Sequence, residues 1–368
     1  MRLSLFKLFF FGGILIIFLA ENLTAQDLDF PVSPPKNYIC YTTENALVID
    51  GVLDEEAWDK AAWTDSFNDI IGPEGNKPYF DTRMKMLWDS NYFYFGVILE
   101  EPHVWGTLTE RDAIIYFDND FEIFIDPDGD NHNYMELEIN ALNTIFDLFL
   151  KRPYRDTTRA EIEFDMPNVI SAVHINGTLN NPGDSDKDWS VEIAIPWKDM
   201  MEYMPGKRIP TDQEQWRINF SRVHWETDII DGKYVKKTDS KGKLQRELNW
   251  VWSPQWAVNM HQPEFWGYVQ FSDSMAGSNE VKFREDVDFD LKMALVEVYK
   301  KQKEFFQIHK RFTENIADLK LDFYNVKNFS GLIEIEINQN TFIAKANGLK
   351  AIWKINERSH LTFQDYLD

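Results

Sequence analysis

The feature that most constrains the fold is a succession of short β-type segments, each bounded by turn residues. Between residues 82 and 100, two runs of apolar and aromatic residues are separated by Asp89-Ser90-Asn91, which predicts a β-hairpin. Further segments of strand character lie at 121–125, 134–140, 145–150, 169–176, 189–195, 216–225 and 267–271. Short strands joined by turns predict a mainly β fold: a two-sheet antiparallel β-sandwich of the immunoglobulin-like or jelly-roll type.

The pattern changes beyond about residue 275. Apolar residues recur at helical spacing between 286 and 321, which predicts one or two amphipathic helices. Three short strands are predicted after them, at 332–337, 342–346 and 351–355. We therefore expect a sandwich domain over residues 26–275 and a small α+β C-terminal region over residues 280–368, whose role the sequence does not indicate.

The N-terminal segment predicts export. Basic residues at Arg2 and Lys7 precede an apolar run from residue 8 to residue 19, and the small residue Ala25 follows it. This order is typical of a secretory signal peptide, here residues 1–25. The apolar run is shorter than the roughly 20 residues that span a bilayer, although an uncleaved anchor is the alternative. We expect a periplasmic or extracellular protein with no membrane attachment after cleavage.

Charge and cysteine content narrow the range of partners. The net charge is −23, and the clustered lysines and arginines that bind phosphates are lacking, which argues against a nucleic-acid partner. An acidic exported protein suits neutral ligands or divalent cations instead. Cys40 is the single cysteine, so no internal disulfide can form. Aromatic residues make up 15% of the chain, and such a surplus often includes residues exposed for ligands.

Six segments, in this order, carry a resemblance to a known family. They are Ile49-Asp50-Gly51 with Asp54 and Trp58, then Leu87-Trp88-Asp89-Ser90-Asn91-Tyr92-Phe93-Tyr94, residues 120–126, 189–197 and 217–222, and Pro263-Glu264-Phe265-Trp266-Gly267. Over residues 40 to 272 the chain resembles family 9 carbohydrate-binding modules of the DOMON-like superfamily. The resemblance implies a β-sandwich that binds an oligosaccharide or polysaccharide without catalysis. It also implies a role beside polysaccharide-degrading enzymes, here separate glycoside hydrolases.

The resemblance also implies site residues. In the family two tryptophans clamp a sugar, and one clamp position falls near Tyr116, whose flat ring can replace tryptophan. Glu122, six residues later, would accept hydrogen bonds from sugar hydroxyls. The second clamp position falls near Met260, a departure from the family, and the neighbouring Trp256 is expected to substitute for it in an exposed loop.

Three more residues complete the expected ligand-binding set. Glu138 falls where the family has an arginine, and Arg222 on a neighbouring strand would supply that charge. The alternative for Arg222 is one half of a buried ion pair. His261 would hydrogen-bond the ligand or, alternatively, tie down its own loop.

A metal site is a further expectation. Asp126, Asp128 and Asp130 have the spacing of the first ligands of a calcium loop, and members of the resembled family have been found with bound calcium. The sixth position is Asn131 and the twelfth is Leu137, so the segment is not an EF-hand. The alternative is an exposed hairpin turn without a cation.

Other functions stay open on the sequence alone. A glycoside hydrolase needs two carboxylates across a cleft, and a pair such as Glu122 and Glu138 would serve. A haem-binding sandwich would need axial ligands, for which Met260 and His261 are poorly placed because they are adjacent. A third alternative is a surface protein-interaction module in which the C-terminal region docks a partner.

Overall fold

A computed structural model describes residues 34–321 and 331–366, so the predicted signal peptide lies outside the described residues. The strands are β1 (Asn37–Thr42), β2 (Asn68–Asp69), β3 (Thr82–Trp88), β4 (Tyr92–Glu100), β5 (Asp120–Asp126), β6 (Tyr134–Asn140), β7 (Ile145–Leu150), β8 (Ile170–Asn176), β9 (Asp188–Pro196), β10 (Gln215–His224), β11 (Thr227–Ile230), β12 (Lys233–Lys236), β13 (Leu248–Val251), β14 (Gly267–Met275), β15 (Ile333–Asn338), β16 (Thr341–Asn347), β17 (Ala351–Asn356) and β18 (Leu361–Asp365). The α-helices are α1 (Glu56–Lys60), α2 (Trp197–Met200) and α3 (Phe289–His309).

The sandwich is one long sheet that curls so that its two halves face each other. Hydrogen-bonded neighbours follow the order β7-β6-β5-β10-β14-β1-β3-β4-β9-β8, and β13 pairs with β10 and β2. At the centre, β1 runs parallel to both β14 and β3, while the other pairs are antiparallel. The predicted mainly β sandwich is confirmed, and the two parallel pairings of β1 join its two halves.

Alternation along the strands builds the core. Phe121, Ile123 and Ile125 of β5 point to the same interior as Phe93 and Phe95 of β4, from the opposite half of the sheet. Successive side chains of a strand point to opposite faces, so the residues between them on β5 lie on the outer face. The outer residues of β5 and β6 include four carboxylates as well as Phe124 and Tyr134, and the candidate site lies at the carboxylates.

Tryptophan serves mainly for packing in this fold. Seven of the chain's tryptophans are among its largest fully buried side chains, including Trp250 and Trp252. Trp197 packs edge-on against Trp216 at 5.9 Å and stacks with Phe93 at 5.5 Å between ring centroids. The aromatic surplus therefore does not by itself mark a ligand site.

Most predicted strands are present, and several elements were not predicted. The hairpin β3–β4 and the strands from β5 to β10 agree with the sequence pattern. β1, β2, β11, β12 and β13 were not predicted. These unpredicted strands are short or, in the case of β1, depend on pairing with distant segments.

The C-terminal region consists of helix α3 packed on an antiparallel sheet of order β15-β16-β17-β18. α3 is one continuous helix of 21 residues, ending with Lys310 in a left-handed conformation. Of the four strands, β18 was not predicted. None of the helices within the described ranges combines the length and apolar character that crossing a bilayer requires.

The C-terminal sheet covers the turn between β5 and β6. The Leu361 amide donates to the Asp130 carbonyl at 3.0 Å, and Asn131 Nδ2 donates to the Ser359 carbonyl at 3.0 Å. The rings of His132 and His360 stack at 4.3 Å between centroids. This region is therefore attached to the same edge of the sandwich that carries the candidate site.

A buried ion pair joins the two halves of the curled sheet. Arg222 of β10 donates to Glu101, just beyond β4, at 2.9 Å and to Thr82 of β3 at 3.1 Å. Burial alone would raise the pKa of Glu101, but the hydrogen bond with His224 and the charge of Arg222 outweigh it and hold that pKa below its usual value. The pair therefore depends on both partners being charged.

We expect Glu101→Gln to lower the free energy of unfolding by about 3 kcal/mol, because it leaves the buried Arg222 charge without its counter-ion. Chemical denaturation followed by tryptophan fluorescence measures this change. Glu100→Gln is the matched control, since Glu100 is adjacent and exposed. Equal stability of the two variants would contradict the structural role of the pair.

Candidate functional site

Four carboxylates line the outer face of β5 and β6. They are Asp120 and Glu122 on β5 and Glu136 and Glu138 on β6, which we call the carboxylate cluster. Their exposed fractions are 0%, 6%, 5% and 3% in that order. The alternation that turns phenylalanine and isoleucine inward places these side chains together on the other face. Acidic side chains are rarely buried this completely unless they are paired with another group.

The strand register brings two of these carboxylates directly opposite each other. Glu122 pairs with Glu138 across β5 and β6, and Ser221 of β10 pairs with Glu122 from the other side. Side chains of directly opposed residues lie on the same face, about 5 Å apart at Cβ. Two negative charges in this position repel each other, so the pair is stable only with a proton or a cation between them.

Protonation follows from this burial. Desolvation raises the pKa of Glu122 to about 7, and the charge of Glu247 adds to the shift. Desolvation and the charge of Glu122 together raise the pKa of Glu138 well above its usual value. Near neutral pH the cluster therefore retains protons, and it can both donate and accept hydrogen bonds.

Tyr116 lies beside this cluster and is held through its backbone. It sits in the 3₁₀ helix Ile115–Phe117, where its amide donates to Glu138 Oε2 at 2.9 Å. Its carbonyl accepts from the Trp225 indole at 2.7 Å. The side chain is half-buried and packs against a small cluster that includes Trp105 and Trp225. The structure thus brings three expected residues together: Tyr116, Glu122 and Glu138.

Tyr154 is a second aromatic residue at the cluster, and it was not predicted from the sequence. It opens the 3₁₀ helix Tyr154–Asp156 that follows β7, and its side chain is 44% exposed. Burial raises the pKa of both tyrosines. The charges of Glu247 and Glu138 add to the shift of Tyr116, and those of Glu136 and Glu138 add to the shift of Tyr154. An aromatic residue in a turn next to the acidic strand was the available signal.

His261 lies behind Tyr154. Its ring is edge-on to that of Tyr154 at 4.5 Å between centroids, and its Nδ1 is 3.1 Å from the Tyr134 hydroxyl. Burial lowers the pKa of His261 to about 3, and the positive charge of Arg155 adds to the effect. The imidazole is therefore neutral, and it contacts an aromatic residue of the site while also anchoring its own loop.

Asp156 fixes the loop that carries Tyr154. Its carboxylate accepts from the Tyr299 hydroxyl at 2.7 Å and from Ser359 Oγ at 2.6 Å, and it pairs with Lys303 at 3.0 Å. All three donors belong to the C-terminal region. The exposed ring of Tyr154 therefore stands on a loop that this region holds in place.

Comparison with known families agrees with this architecture. The model of the carbohydrate family 9 binding domain-like family matches residues 49–273. The chain belongs to this family. The resemblance predicted from six segments over residues 40 to 272 is thereby confirmed, and the C-terminal region lies beyond the match. Comparison with curated proteins gives no match.

Solved structures of family 9 domains are similar to the chain at low identity. A family 9 module from Caldicellulosiruptor kristjanssonii in complex with cellotriose is 14% identical, with a TM-score of 0.41, covering 67% of this chain and 100% of the module. The module in complex with glucose is 15% identical, with a TM-score of 0.40 and coverages of 66% and 99%. A proposed carbohydrate-binding protein from Bacteroides uniformis is 14% identical, with a TM-score of 0.47 and coverages of 65% and 100%.

Arg222 does not lie on the face that carries the carboxylate cluster, so its expected role in ligand binding is wrong. It is 1% exposed and lies opposite Phe121, on the face of β10 that is turned to the core. Its guanidinium is paired with Glu101. The face of the strand decides the outcome: Ser221, the residue before it, points to the carboxylate cluster instead.

Trp256 also takes a different place from the one expected. It is partly buried and packs against the C-terminal hydrophobic cluster rather than standing exposed in a loop. Its backbone has a left-handed φ of 60°, and its amide donates to the Ile70 carbonyl at 3.1 Å. Met260, at the family's second clamp position, is 8% exposed. The second aromatic surface beside the cluster is therefore Tyr154.

The turn predicted to bind calcium is held by hydrogen bonds. Asp126 accepts from the amides of Gly129 and Asn131 at 2.9 and 3.0 Å, and Asp130 Oδ2 lies 2.8 Å from His360 Nε2. Asp128 is exposed, whereas Asn131 is 1% exposed, so the turn is only partly open to solvent. Asp126, Asp128 and Asp130 each offer an oxygen within 4.8 Å of the others, so calcium binding at this turn stays a prediction.

We expect Glu122→Gln to stabilise the protein at high pH. The folded state raises the pKa of Glu122 from 4.5 to about 7, so the stability that protonated Glu122 confers is complete below pH 4.5 and is lost as pH rises through 7. Glutamine stays neutral, so the variant should exceed the wild type by roughly 2–3 kcal/mol at about pH 8 and match it near pH 4.

Urea denaturation at several pH values, in buffer with EDTA, measures this difference. Glu44→Gln changes an exposed carboxylate and should follow the wild type at every pH. A Glu122→Gln variant that is less stable than the wild type at high pH would show that the fold compensates the ionised carboxylate, which would contradict the raised pKa of Glu122.

Proposed function

We propose that the protein is a non-catalytic carbohydrate-binding protein that holds a sugar or oligosaccharide over the carboxylate cluster, between the rings of Tyr116 and Tyr154. The observation that carries the proposal is the placement of two partly exposed aromatic rings beside buried carboxylates that retain protons. Family membership supports the same function, because the matching model is named for carbohydrate binding.

The chemistry of a sugar suits these groups. The C–H faces of a pyranose pack on flat aromatic surfaces, which Tyr116 and Tyr154 offer without the entropy loss of a flexible side chain. Sugar hydroxyls are both donors and acceptors, and a partly protonated carboxylate cluster satisfies either role. Because each hydroxyl must lose water on binding, we expect an affinity on the order of micromolar to millimolar.

The geometry favours binding over hydrolysis. Glycosidases place an acid and a second carboxylate on the two sides of the scissile bond, about 5 Å or more apart. Glu122 and Glu138 are directly opposed neighbours on one face of one sheet, so both approach a ligand from the same side. Such a pair grips hydroxyls but does not flank a glycosidic bond.

Export is part of the proposal. The N-terminal pattern of a basic start, a short apolar run and a small residue supports secretion to the periplasm or beyond. In that setting the protein would hold oligosaccharides or polysaccharides and support their breakdown by separate glycoside hydrolases.

We expect calorimetric titration of the mature protein to detect saturable binding of a sugar from a panel that begins with glucose and cellotriose, the ligands of the solved family 9 module. Tyr154→Ala and Tyr116→Ala should each weaken binding about ten-fold, because each removes one stacking surface. Glu163→Gln and Tyr366→Ala alter exposed side chains elsewhere and serve as controls.

Circular dichroism distinguishes lost binding from lost folding, and the exposed ring of Tyr154 should be removable without unfolding the sandwich. Binding that survives both tyrosine substitutions would place the sugar elsewhere. If the folded protein binds no sugar of the panel, carbohydrate binding is overturned and the alternative, a surface module for protein contacts, is favoured.

A further inference from the structure

Three members of the carboxylate cluster have the geometry of a cation site. Asp120, Glu122 and Glu138 each offer one oxygen, and these oxygens all lie within 4.8 Å of one another. Calcium binds oxygen at 2.3–2.6 Å, so two ligands of one ion stand at most about 5 Å apart. The three oxygens therefore fit around a single calcium ion.

When these carboxylates lose the protons that they hold in the absence of a cation, the protein does not balance their charge. Across residues 34–321 and 331–366, the neighbours that shift the pKa of Asp120 and Glu138 most by charge are other carboxylates, and none of the ion pairs involves either residue. Directly opposed glutamates destabilise a sheet unless something intervenes. A divalent cation would remove this repulsion without changing the strand register.

Two buried polar atoms with unfilled bonding capacity point to a ligand independently of the acidic cluster's charge. Ser221 is 0% exposed and lies directly opposite Glu122, and apart from that carboxylate its hydroxyl oxygen has no hydrogen-bond partner among the described residues. Asp120 Oδ2 is likewise buried without a partner in that part of the chain. Buried polar atoms of this kind are normally satisfied, and a hydroxyl and a carboxylate oxygen are both hard ligands that suit calcium.

We propose that Asp120, Glu122, Glu138 and Ser221 bind one calcium ion, and that hydroxyls of the bound sugar complete its coordination. The first part stands on the geometry of these four side chains, and the second rests on the proposed carbohydrate-binding function. Calcium is favoured over magnesium because it accepts six to eight oxygens in irregular arrangements and exchanges water for ligand hydroxyls readily. The site is separate from the turn that carries Asp126, Asp128 and Asp130.

The test begins with the EDTA-treated mature protein, titrated with CaCl₂ by calorimetry and with TbCl₃ by sensitised luminescence. We expect saturable binding, a higher Tm with calcium, and about ten-fold or greater weakening in Asp120→Asn and Glu138→Gln. These amides keep the side-chain shape and an acceptor oxygen but remove the charge. Asp128→Asn disables the other candidate site and should leave this binding unchanged. Sugar affinity should fall in EDTA and return with calcium.

Where an amide variant does not fold, the titration and thermal shift of the wild type and of Asp128→Asn decide the matter, because Asp128→Asn removes the binding that the turn could supply. No saturable binding and no Tm shift up to about 10 mM CaCl₂ would overturn the proposal. Cation binding lost only in Asp128→Asn would overturn it in favour of the turn. Sugar affinity that is equal in EDTA and calcium would overturn the role of the ion and leave the proposed function intact. Calcium binding that requires Glu138, with no sugar bound in any condition, would support the ion site and overturn the proposed function.

Discussion

The period of two along β5 and β6 is the constraint on which the rest of the structure depends. Alternate residues of β5 supply Phe121, Ile123 and Ile125 to the core, so the register of these strands cannot shift by one residue without burying charge there. The same alternation forces Glu122 onto the outer face, opposite Glu138. The same strand register therefore determines both the hydrophobic core and the carboxylate cluster.

This arrangement places mutually repelling carboxylates at the surface where a ligand is expected to bind. Buried carboxylates that face each other weaken a fold, and the strong packing of aromatic residues beneath them provides the stability that tolerates it. Binding and catalytic sites often include such unfavourable interactions, because a ligand needs polar groups whose hydrogen bonds the protein itself does not satisfy. In this sandwich, polar groups with unfilled bonding capacity lie at the floor of a surface flanked by tyrosine rings.

Local patterns predicted the sandwich, and the family resemblance predicted the part of the site that lies close together in sequence. Tyr116, Glu122 and Glu138 are within about one hairpin of each other, so the strand alternation that the sequence predicts brings them together. Arg222 was misassigned because its face depends on how β10 pairs with two distant strands. The parallel pairing of β1 was missed for the same reason, and Tyr154 because its exposure is decided by a loop that other segments support.

Asp156 connects the C-terminal region to the turn that carries Tyr154. One carboxylate receives three donors from that region and belongs to the same 3₁₀ turn as Tyr154. Ligand binding at Tyr154 and the attachment of helix α3 both depend on this loop, so the two are linked. A tighter attachment of α3 lowers the conformational entropy that Tyr154 loses on binding a ligand. By reciprocity, a ligand on Tyr154 strengthens the attachment by the same free energy. We therefore expect ligand binding at Tyr154 and the attachment of the C-terminal region to be linked, although this region lies outside the family 9 match.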